Sequence, residues 1–284
     1  MDNKLDKLKR ILKECGRVTV AFSSGVDSTF LLKVARETLP RENVIAITIS
    51  SAFTKRNELS EAIEFCNKND IYHEIVDVDI LSVPEIKMNP DNRCYICKKR
   101  IFEQIIKRSK GYVVCEGSNV DDMSDYRPGM QAIKELEVRS PLREAGLTKD
   151  EIRKLSRQMN LPTWDKPSAA CLASRLAYGE EITIQKLKCV DRAEDRLLKY
   201  GFRQFRVRVH GEGDNLIARI ELTPEDMKKA FADDSIREEI SDSIKKEGFR
   251  FVTIDLSGYR MGSMNEMLNS NNTVWKDLKE QTLL

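Results

Sequence analysis

Long apolar runs are absent from this sequence, and so is any marked excess of one charge. No segment approaches the ~20 consecutive apolar residues that span a bilayer, and the amino-terminal stretch MDNKLDKLKRILKECG lacks the apolar core of a signal peptide. Lysine and arginine total 48 against 46 acidic residues, a net charge of +2, which gives no strong field to recruit nucleic acid. We therefore expect a cytoplasmic protein that binds neither a membrane nor, by bulk charge, nucleic acid.

Histidine is scarce, and the cysteines do not suggest a disulfide framework. Only His73 and His210 are present, and seven cysteines form an odd set in this chain of 284 residues. We expect four that stand singly in helix-like or strand-like segments to be small apolar side chains or inert thiols: Cys15, Cys66, Cys115 and Cys189. A secreted fold held by disulfides is therefore disfavoured, and the remaining three cysteines are the candidates for chemistry.

Apolar segments in the first half alternate regularly between strand-like and helix-like patterns. The patterns predict helices over 28–39, 55–69 and 95–109, strands over 17–22, 43–49, 71–78 and 111–117, and a short fifth strand over 137–142. Continuous apolar strands separated by helices are typical of a parallel sheet that is covered on both faces. The sequence therefore predicts an α/β domain with a doubly wound parallel sheet over residues 1–175.

The second half has the pattern of an α+β domain. It predicts helices over 182–200, 224–232 and 235–247, and strands over 202–210, 215–222 and 249–256. The turn sequence HGEGDN between the first two of these strands favours an antiparallel pair. We therefore predict a smaller C-terminal α+β domain over residues 176–284.

The loop SSGVDS, residues 23–28, leaves the first strand and enters a helix, at the sheet edge where open parallel sheets bind ligands. Backbone N–H groups of a glycine-containing loop and of a helix N-terminus form an anion site. Serine hydroxyls add donors, and an aspartate there suits Mg²⁺ or a reacting group. The spacing matches neither GxxxxGK[ST] nor GxGxxG, and a capped turn is the structural alternative. We predict a pyrophosphate cradle formed by Ser23, Ser24, Gly25, Asp27 and Ser28.

This loop resembles the PP-loop of the ATP pyrophosphatase superfamily, usually SGGxDS, whose members cleave ATP between the α and β phosphates. Ser24 stands at the position that is normally glycine there, and serine disfavours positive φ. Longer stretches over 116–142, 161–183, 202–222 and 249–268 resemble the LarE family, the sulfur transferases that mature the cofactor of lactate racemase. The likeness runs nearly from end to end.

The resemblance implies both a fold and an activity. It implies an N-terminal PP-loop domain of the adenine nucleotide α-hydrolase type, a smaller C-terminal domain, and a homo-oligomer. It also implies that ATP and Mg²⁺ activate a carboxylate of pyridinium-3,5-dicarboxylate mononucleotide as an adenylate, with release of pyrophosphate. Sulfur then displaces AMP to give a thiocarboxylate, and the product later holds nickel in a pincer-shaped nucleotide.

Residues that suit such a substrate, with its carboxylates and phosphate, are Ser174, Arg175, Arg206 and Arg208. Arg206 and Arg208 alternate on one predicted strand, so both point to the same face. Guanidinium groups bind phosphate and carboxylate oxygens in a bidentate manner. A solvated strand face is the alternative, because Arg203 lies nearby; with the resemblance, we favour substrate binding.

Three further cations are candidates for the ATP chemistry. Arg127, in SDYRPG after the fourth strand, is expected by resemblance to meet phosphates of ATP or substrate; the alternative is that it stabilises the loop through Asp125. Lys98 and Lys166 are candidates for neutralising charge as pyrophosphate leaves. The alternative for each of these lysines is an ordinary surface position.

Three cysteines are candidates for the source of the transferred sulfur: Cys94, Cys97 and Cys171. Three thiolates suit a [4Fe–4S] cluster with one iron open to carry an extra sulfide, similar to some LarE-like and tRNA-thiolating PP-loop enzymes. The family's other version lacks the Cys-x-x-Cys pair and gives up the sulfur of one cysteine, here Cys171 by position. The Cys-x-x-Cys pair favours the cluster. A redox pair and a zinc site, which normally needs a fourth protein ligand, are further alternatives.

Rival functions share parts of this pattern. A tRNA thiolase would also use ATP, Mg²⁺ and three cysteines, but the net charge of +2 is low for an RNA-binding protein. An ammonia-using ligase leaves the cysteines unexplained, and a nucleotide-binding regulator predicts ATP binding without pyrophosphate release. The sequence therefore predicts an ATP-dependent sulfurtransferase that takes sulfide or another sulfur donor.

Overall fold

The computed structural model of the chain describes residues 2–123, 128–168 and 170–263. Contacts divide the chain into two compact units. The first takes the chain up to Met88 together with Asn92–Ala173 and Ile182–Leu187, and the second takes Asn89–Asp91, Ser174–Glu181 and the chain from Lys188 onward. The domain limits predicted from the sequence, 1–175 and 176–284, stay predictions.

The first unit is built on a parallel sheet of four strands in the order β3-β2-β1-β4. Its helices and strands are α1 (Asp2–Cys15), β1 (Val18–Ala21), α2 (Val26–Thr38), β2 (Val44–Ser50), α3 (Arg56–Lys68), β3 (Tyr72–Asp77), α4 (Pro84–Lys87), α5 (Arg93–Arg108), β4 (Val113–Cys115), α6 (Pro128–Glu135), α7 (Pro141–Glu144) and α8 (Lys149–Gln158). Strand β1 pairs in parallel with both β2 and β4, and β2 pairs with β3. The parallel α/β fold predicted from the alternation of apolar segments is confirmed.

Both faces of the central strands β1 and β2 are buried, as their continuous apolar sequences predict, whereas the edge strand β3 is largely exposed. On one face, Val18 and Val20 of β1 pack in a core with residues of α1, α2 and α8. Ile45 and Ile47 of β2 point to the opposite face and retain only 5% and 1% exposure. Because both faces of the central strands are covered, the loops after the strand ends are the part of the sheet left for a ligand.

The short fifth strand predicted over 137–142 is wrong. Arg139 makes a single parallel bridge with Cys115, and two residues later Pro141 begins helix α7. Proline lacks the N–H that a continuing ladder needs, and its fixed φ suits the first turn of a helix. The segment therefore lies beside β4, but it forms a single bridge and then a helix instead of a fifth strand.

The second unit has a sheet of three strands in the order β5-β6-β7. Its elements are α9 (Ile184–Lys199), whose first turn belongs to the first unit, β5 (Phe205–His210), β6 (Ile217–Leu222), α10 (Pro224–Phe231), α11 (Asp234–Lys245) and β7 (Phe251–Ile254). Strands β5 and β6 are antiparallel, as the HGEGDN turn predicts, and β7 joins β6 in parallel. The C-terminal α+β arrangement is confirmed. In the described part of the chain, no helix is both long enough and apolar enough to cross a membrane.

Candidate active site

The SSGVDS loop forms the turn between β1 and α2, at the carboxyl end of the parallel sheet. The Ser28 hydroxyl lies 3.3 Å from the backbone nitrogen of Ser23 and 3.1 Å from the Ser23 hydroxyl. Gly25 precedes α2, and a Cβ at this position would lie 3.5 Å from the Ser23 hydroxyl and 4.0 Å from that of Ser28. The glycine therefore keeps open a surface lined by two hydroxyls and the first N–H groups of a helix, the chemistry that an anion needs.

Ser24 adopts the left-handed conformation, with a φ of 55°. The residue is buried, and its hydroxyl donates to the backbone carbonyl of Glu58 at 2.9 Å. The hydroxyl is thus directed at α3, and the role of Ser24 in the pyrophosphate cradle stays a prediction. The loop nonetheless has the positive φ that glycine normally supplies, and the hydrogen bond to α3 offsets part of the strain.

Two substitutions at Ser24 are expected to separate the effect of backbone strain on stability from the effect of the hydrogen bond to Glu58. Ser24→Ala keeps the left-handed strain and loses the bond to Glu58, so the free energy of unfolding should fall by about 1 kcal/mol. Ser24→Gly also loses that bond but relieves strain of about 1 kcal/mol, so its unfolding free energy should stay within roughly 0.5 kcal/mol of the parent value. Urea denaturation measures both, and a glycine variant as unstable as the alanine variant contradicts this explanation.

Asp27, in the first turn of α2, forms an ion pair with Lys149 at the start of α8. The Asn119 side-chain amide lies 3.4 Å from the other carboxylate oxygen of Asp27. Gly117, which follows β4, packs against the first turn of α2. A Cβ at this position would lie 3.0 Å from the backbone nitrogen of Ser28. The Asp27 carboxylate is therefore held beside the phosphate loop by Asn119, from the segment after β4, and by Lys149, from the first turn of α8.

Nothing in the sequence singled out Asn119, Gly117 or Lys149. Lys149 is the first residue of α8, which begins with a capping box between Thr148 and Glu151. The T-x-x-E spacing signals a helix start and could have located this helix. It could not show that the lysine reaches the phosphate loop, which is 122 positions away in the chain.

The structure places the other predicted cations of the first unit at different sites. Lys166 Nζ lies 3.1 Å from the carbonyl of Ser24 and pairs with a glutamate of α3, so this lysine contacts the phosphate loop. Lys98 is on α5, the helix of the Cys-x-x-Cys pair, and packs so closely on Gly129 that a Cβ there would lie 2.6 Å from its Cδ. Arg127 lies outside the described residues.

The three cysteines of the predicted sulfur site lie near one another in the first unit. Cys94 and Cys97 occupy the first turns of α5, and Cys171 precedes a short 3-10 turn. Arg93 joins the two segments, donating to the carbonyl of Ala173 at 2.9 Å and to the Cys94 sulfur at 3.6 Å. Burial, and then the charges of Cys171 and Cys94, raise the pKa of Cys97 to about 12. Cys97 therefore lies within electrostatic range of the other two cysteines.

The donor set of this site consists of three thiols, the kind of ligand that an iron–sulfur cluster requires. Among the residues that the structure describes, no three histidine, cysteine, aspartate or glutamate side chains are arranged to hold one metal ion. Thiolates that ligate different irons of a cluster stand farther apart than thiolates on one zinc, and each thiol must first lose its proton. The [4Fe–4S] cluster on Cys94, Cys97 and Cys171 stays a prediction.

The predicted substrate residues of the second unit form a hydrogen-bonded network around Ser174. Arg175 is fully buried and makes a bidentate ion pair with Glu194, at 2.8 and 2.9 Å, while its third nitrogen lies 2.9 Å from the Ser174 hydroxyl. Arg208 pairs in the same way with Glu221, at 2.9 and 2.8 Å, and donates to the Ser174 carbonyl at 2.6 Å. The structure thus brings these residues together, and the two glutamates are partners that the sequence did not indicate.

Arg206 has a different environment from the other two arginines. It shares a face of β5 with Arg208, as the alternation predicts, and its guanidinium lies 5.1 Å from the centre of the Tyr259 ring. Burial, and then the charge of Arg175, lower the pKa of Arg206. An anion bound beside this guanidinium would offset the unfavourable burial of its charge.

Removal of the Glu194 charge is expected to destabilise the second unit strongly. Glu194→Gln leaves the Arg175 guanidinium buried beside an amide, and breaking a buried pair in this way lowers the free energy of unfolding by about 3–5 kcal/mol. Asp150→Asn, which removes one partner of the exposed Lys154–Asp150 pair, should change it by less than about 0.5 kcal/mol. Denaturation with urea compares the two variants, and equal losses would be incompatible with the burial argument.

Comparison with known proteins gives relatives over nearly the whole chain. The NAD synthase family model matches residues 1–94, which contain the phosphate loop. The chain is 35% identical over 260 residues to the pyridinium-3,5-bisthiocarboxylic acid mononucleotide synthase of Lactiplantibacillus plantarum, with 90% of this chain and 92% of that protein covered. It is 41% identical over 271 residues to an uncharacterised protein of Synechocystis (94% and 99% covered). A Methanocaldococcus jannaschii protein, also uncharacterised, is 32% identical over 268 residues (90% and 97% covered).

These matches differ in what they establish. The NAD synthase model covers a third of the chain and indicates the nucleotide-binding fold of the first unit. The match to the synthase covers 90% of this chain, too much to be restricted to the phosphate-binding unit, so the likeness extends into the second unit. The chain therefore belongs to the LarE family of PP-loop enzymes, the family of the pyridinium-3,5-bisthiocarboxylic acid mononucleotide synthase.

Proposed function

We propose that this chain is an ATP-dependent sulfurtransferase that converts a carboxylate of pyridinium-3,5-dicarboxylate mononucleotide into a thiocarboxylate, toward a nickel-binding nucleotide. The observation that carries the proposal is the phosphate loop with Asp27 and Lys149 beside it, in a chain whose Lactiplantibacillus plantarum relative is named for such a product. In this proposal the domain over 1–175 binds ATP, and the domain over 176–284 binds the substrate together with Ser174 and Arg175 at the domain boundary. The protein acts in the cytoplasm as a homo-oligomer.

The phosphate loop is proposed to hold the pyrophosphate half of ATP. Its N–H groups and the hydroxyls of Ser23 and Ser28 bind the β and γ phosphates, and the Asp27 carboxylate is the proposed Mg²⁺ ligand. When bound, Mg²⁺ neutralises phosphate charge and improves pyrophosphate as a leaving group. Lys149 and Lys166 contact Asp27 and the loop, where their ammonium groups can neutralise the charge of the departing pyrophosphate. Lys98 and Arg127 remain proposed contributors to the same step.

The network around Ser174 is proposed to bind the mononucleotide. The Ser174 hydroxyl and the Arg206 guanidinium meet its phosphate or carboxylate oxygens, while Arg175 and Arg208 hold Ser174 from two sides. Because the two arginines are themselves locked by buried glutamates, the binding groups are preorganised. A carboxylate oxygen of the bound substrate attacks the α phosphorus of ATP; the new P–O bond forms as the bond to pyrophosphate breaks.

Cys94, Cys97 and Cys171 are the proposed ligands of a [4Fe–4S] cluster. When bound, such a cluster supplies an open iron that can hold the sulfide which displaces AMP. Arg93 fixes the spacing of the two ligand segments, and the exposed position of Cys171 leaves that side of the site accessible. The competing source is the sulfur of Cys171 itself, which would limit the protein to a single turnover.

Pyrophosphate exchange tests the proposed adenylation separately from the sulfur chemistry. With Mg²⁺ and ATP, labelled pyrophosphate should enter ATP when the dicarboxylate mononucleotide is added, but not with nicotinamide mononucleotide, which has an amide instead of a carboxylate. Bulk tRNA at physiological salt is the second comparison, because tight, salt-sensitive tRNA binding would support an RNA thiolase. No exchange with the dicarboxylate, or equal exchange with every nucleotide, contradicts the proposal.

A further inference from the structure

Lys166 reaches the phosphate loop from a segment of turns that follows helix α8. Backbone hydrogen bonds donated by Trp164 and Lys166 close two successive turns there. The Lys166 Nζ lies 3.1 Å from the carbonyl of Ser24 and pairs with Glu61 of α3. Because a lysine side chain is long and flexible, its position at the loop depends on how firmly the backbone of this segment is held.

Arg153 of α8 holds the backbone of this segment at two points. One terminal nitrogen of its guanidinium donates to the carbonyl of Trp164 at 2.8 Å, and the other donates to the carbonyl of Lys166 at 2.7 Å. Arg153 is partly buried, and the rigid fork of a guanidinium can fix two acceptors at once. The backbone of Lys166 is therefore anchored to α8, while its side chain contacts the phosphate loop.

A second arginine of α8 contacts the same segment through a side chain. The Arg157 guanidinium lies 4.9 Å from the centre of the Trp164 ring. A cation–π contact at an exposed site contributes about 0.5–1 kcal/mol, and its loss leaves both backbone carbonyls bonded to Arg153. Arg157 therefore provides a matched comparison for Arg153.

We propose that Arg153 is a positioning residue that holds Lys166 at the phosphate loop for the release of pyrophosphate, an inference that rests on the proposed adenylation. Lys149, which pairs with Asp27, is the first residue of the same helix. Helix α8 thus places two ammonium groups at the loop. Lys149 comes from its first turn, and Lys166 is held there through the two hydrogen bonds from Arg153.

Competitive acetylation of lysines in the ligand-free protein tests this positioning without any substrate. In the parent, Lys166, whose side chain is 22% exposed, should react more slowly than Lys154, whose side chain is 61% exposed. Arg153→Ala should raise the Lys166 rate at least about threefold, because the released segment opens more often, and should leave the Lys154 rate unchanged. Arg157→Ala should leave both rates at the parent values.

Pyrophosphate exchange with ATP and the dicarboxylate mononucleotide measures the consequence for the reaction. Arg153→Ala should lower the maximal rate about tenfold with little change in the KM for ATP, because a displaced Lys166 stabilises the departing pyrophosphate less. Arg153→Lys, which lacks the fork, should give an intermediate rate, and Arg157→Ala should stay within about twofold of the parent. In a Lys166→Ala background, Arg153→Ala should lower the rate by no more than about twofold, since the arginine acts through the lysine.

Two results would overturn the proposal. One is an unchanged rate of Lys166 acetylation in Arg153→Ala, and the other is an Arg153→Ala effect on exchange that is as large without Lys166 as with it. Arg153→Lys serves for both measurements if the alanine variant does not fold. Failure of the proposed adenylation gives a different result: the parent shows no exchange, while Arg153→Ala still raises the acetylation rate of Lys166.

Discussion

An Asp27→Asn variant should release pyrophosphate about a thousandfold more slowly than the parent protein. Asparagine keeps the size and shape of the side chain but removes the negative charge that pairs with Lys149. A neutral amide is also a much weaker ligand for Mg²⁺ than a carboxylate. Pyrophosphate released in the presence of ATP, Mg²⁺ and the dicarboxylate mononucleotide is the measurement.

A matched control for this variant lies at the other end of the same helix. Glu37 belongs to α2, is half exposed and pairs with Lys33 at 3.3 Å. Glu37→Gln removes one carboxylate from α2 without touching the phosphate loop, so its rate should equal that of the parent. If Asp27→Asn is folded and releases pyrophosphate within about threefold of the parent rate, Asp27 makes no substantial contribution to this step.

A Cys97→Ala variant should lose repeated sulfur transfer while it still supports pyrophosphate exchange. Cys97 is partly buried and lies close enough to Cys94 and Cys171 for their charges to affect its pKa, so its loss removes one of the three proposed cluster ligands. The phosphate loop is formed by other residues and should still activate the carboxylate. The anaerobically purified parent should contain about four iron atoms per chain, and the variant far less.

The corresponding control is Cys189→Ala in the second unit. Cys189 is buried in helix α9 and belongs to neither proposed site, so iron content and turnover should match those of the parent. Two results would contradict the cluster proposal. The first is a parent protein without iron whose Cys171 loses its sulfur during a single turnover, and the second is a Cys97→Ala protein with undiminished repeated turnover.

Local chemistry made the first half of the fold predictable. The strand before SSGVDS and the helix after it follow from apolar runs and a glycine-containing turn, and the structure has β1 and α2 there. In the second half, the alternation of side chains along a strand likewise predicted that Arg206 and Arg208 share one face of β5. The prediction of a fifth strand over 137–142 was wrong because Pro141 starts helix α7. The prediction gave the apolar pattern more weight than this proline.

The partners of the site residues were not predictable because they come from distant parts of the chain. Lys149 meets Asp27 only once α8 and α2 are packed together. Glu194 and Glu221 look like ordinary charged residues of a helix and a strand, yet each is buried as the counterion of an arginine. Sequence patterns report periodicity along the chain, whereas these ion pairs depend on how separate elements pack.

The mass of the nucleotide product tests the proposed sulfur transfer most directly. Anaerobically purified protein is incubated with ATP, Mg²⁺, the dicarboxylate mononucleotide and sulfide, and the nucleotides are analysed by mass spectrometry. The expected result is a product in which sulfur replaces a carboxylate oxygen, with AMP formed in equal amount. An unchanged mononucleotide, while ATP is converted to AMP and pyrophosphate, would contradict it.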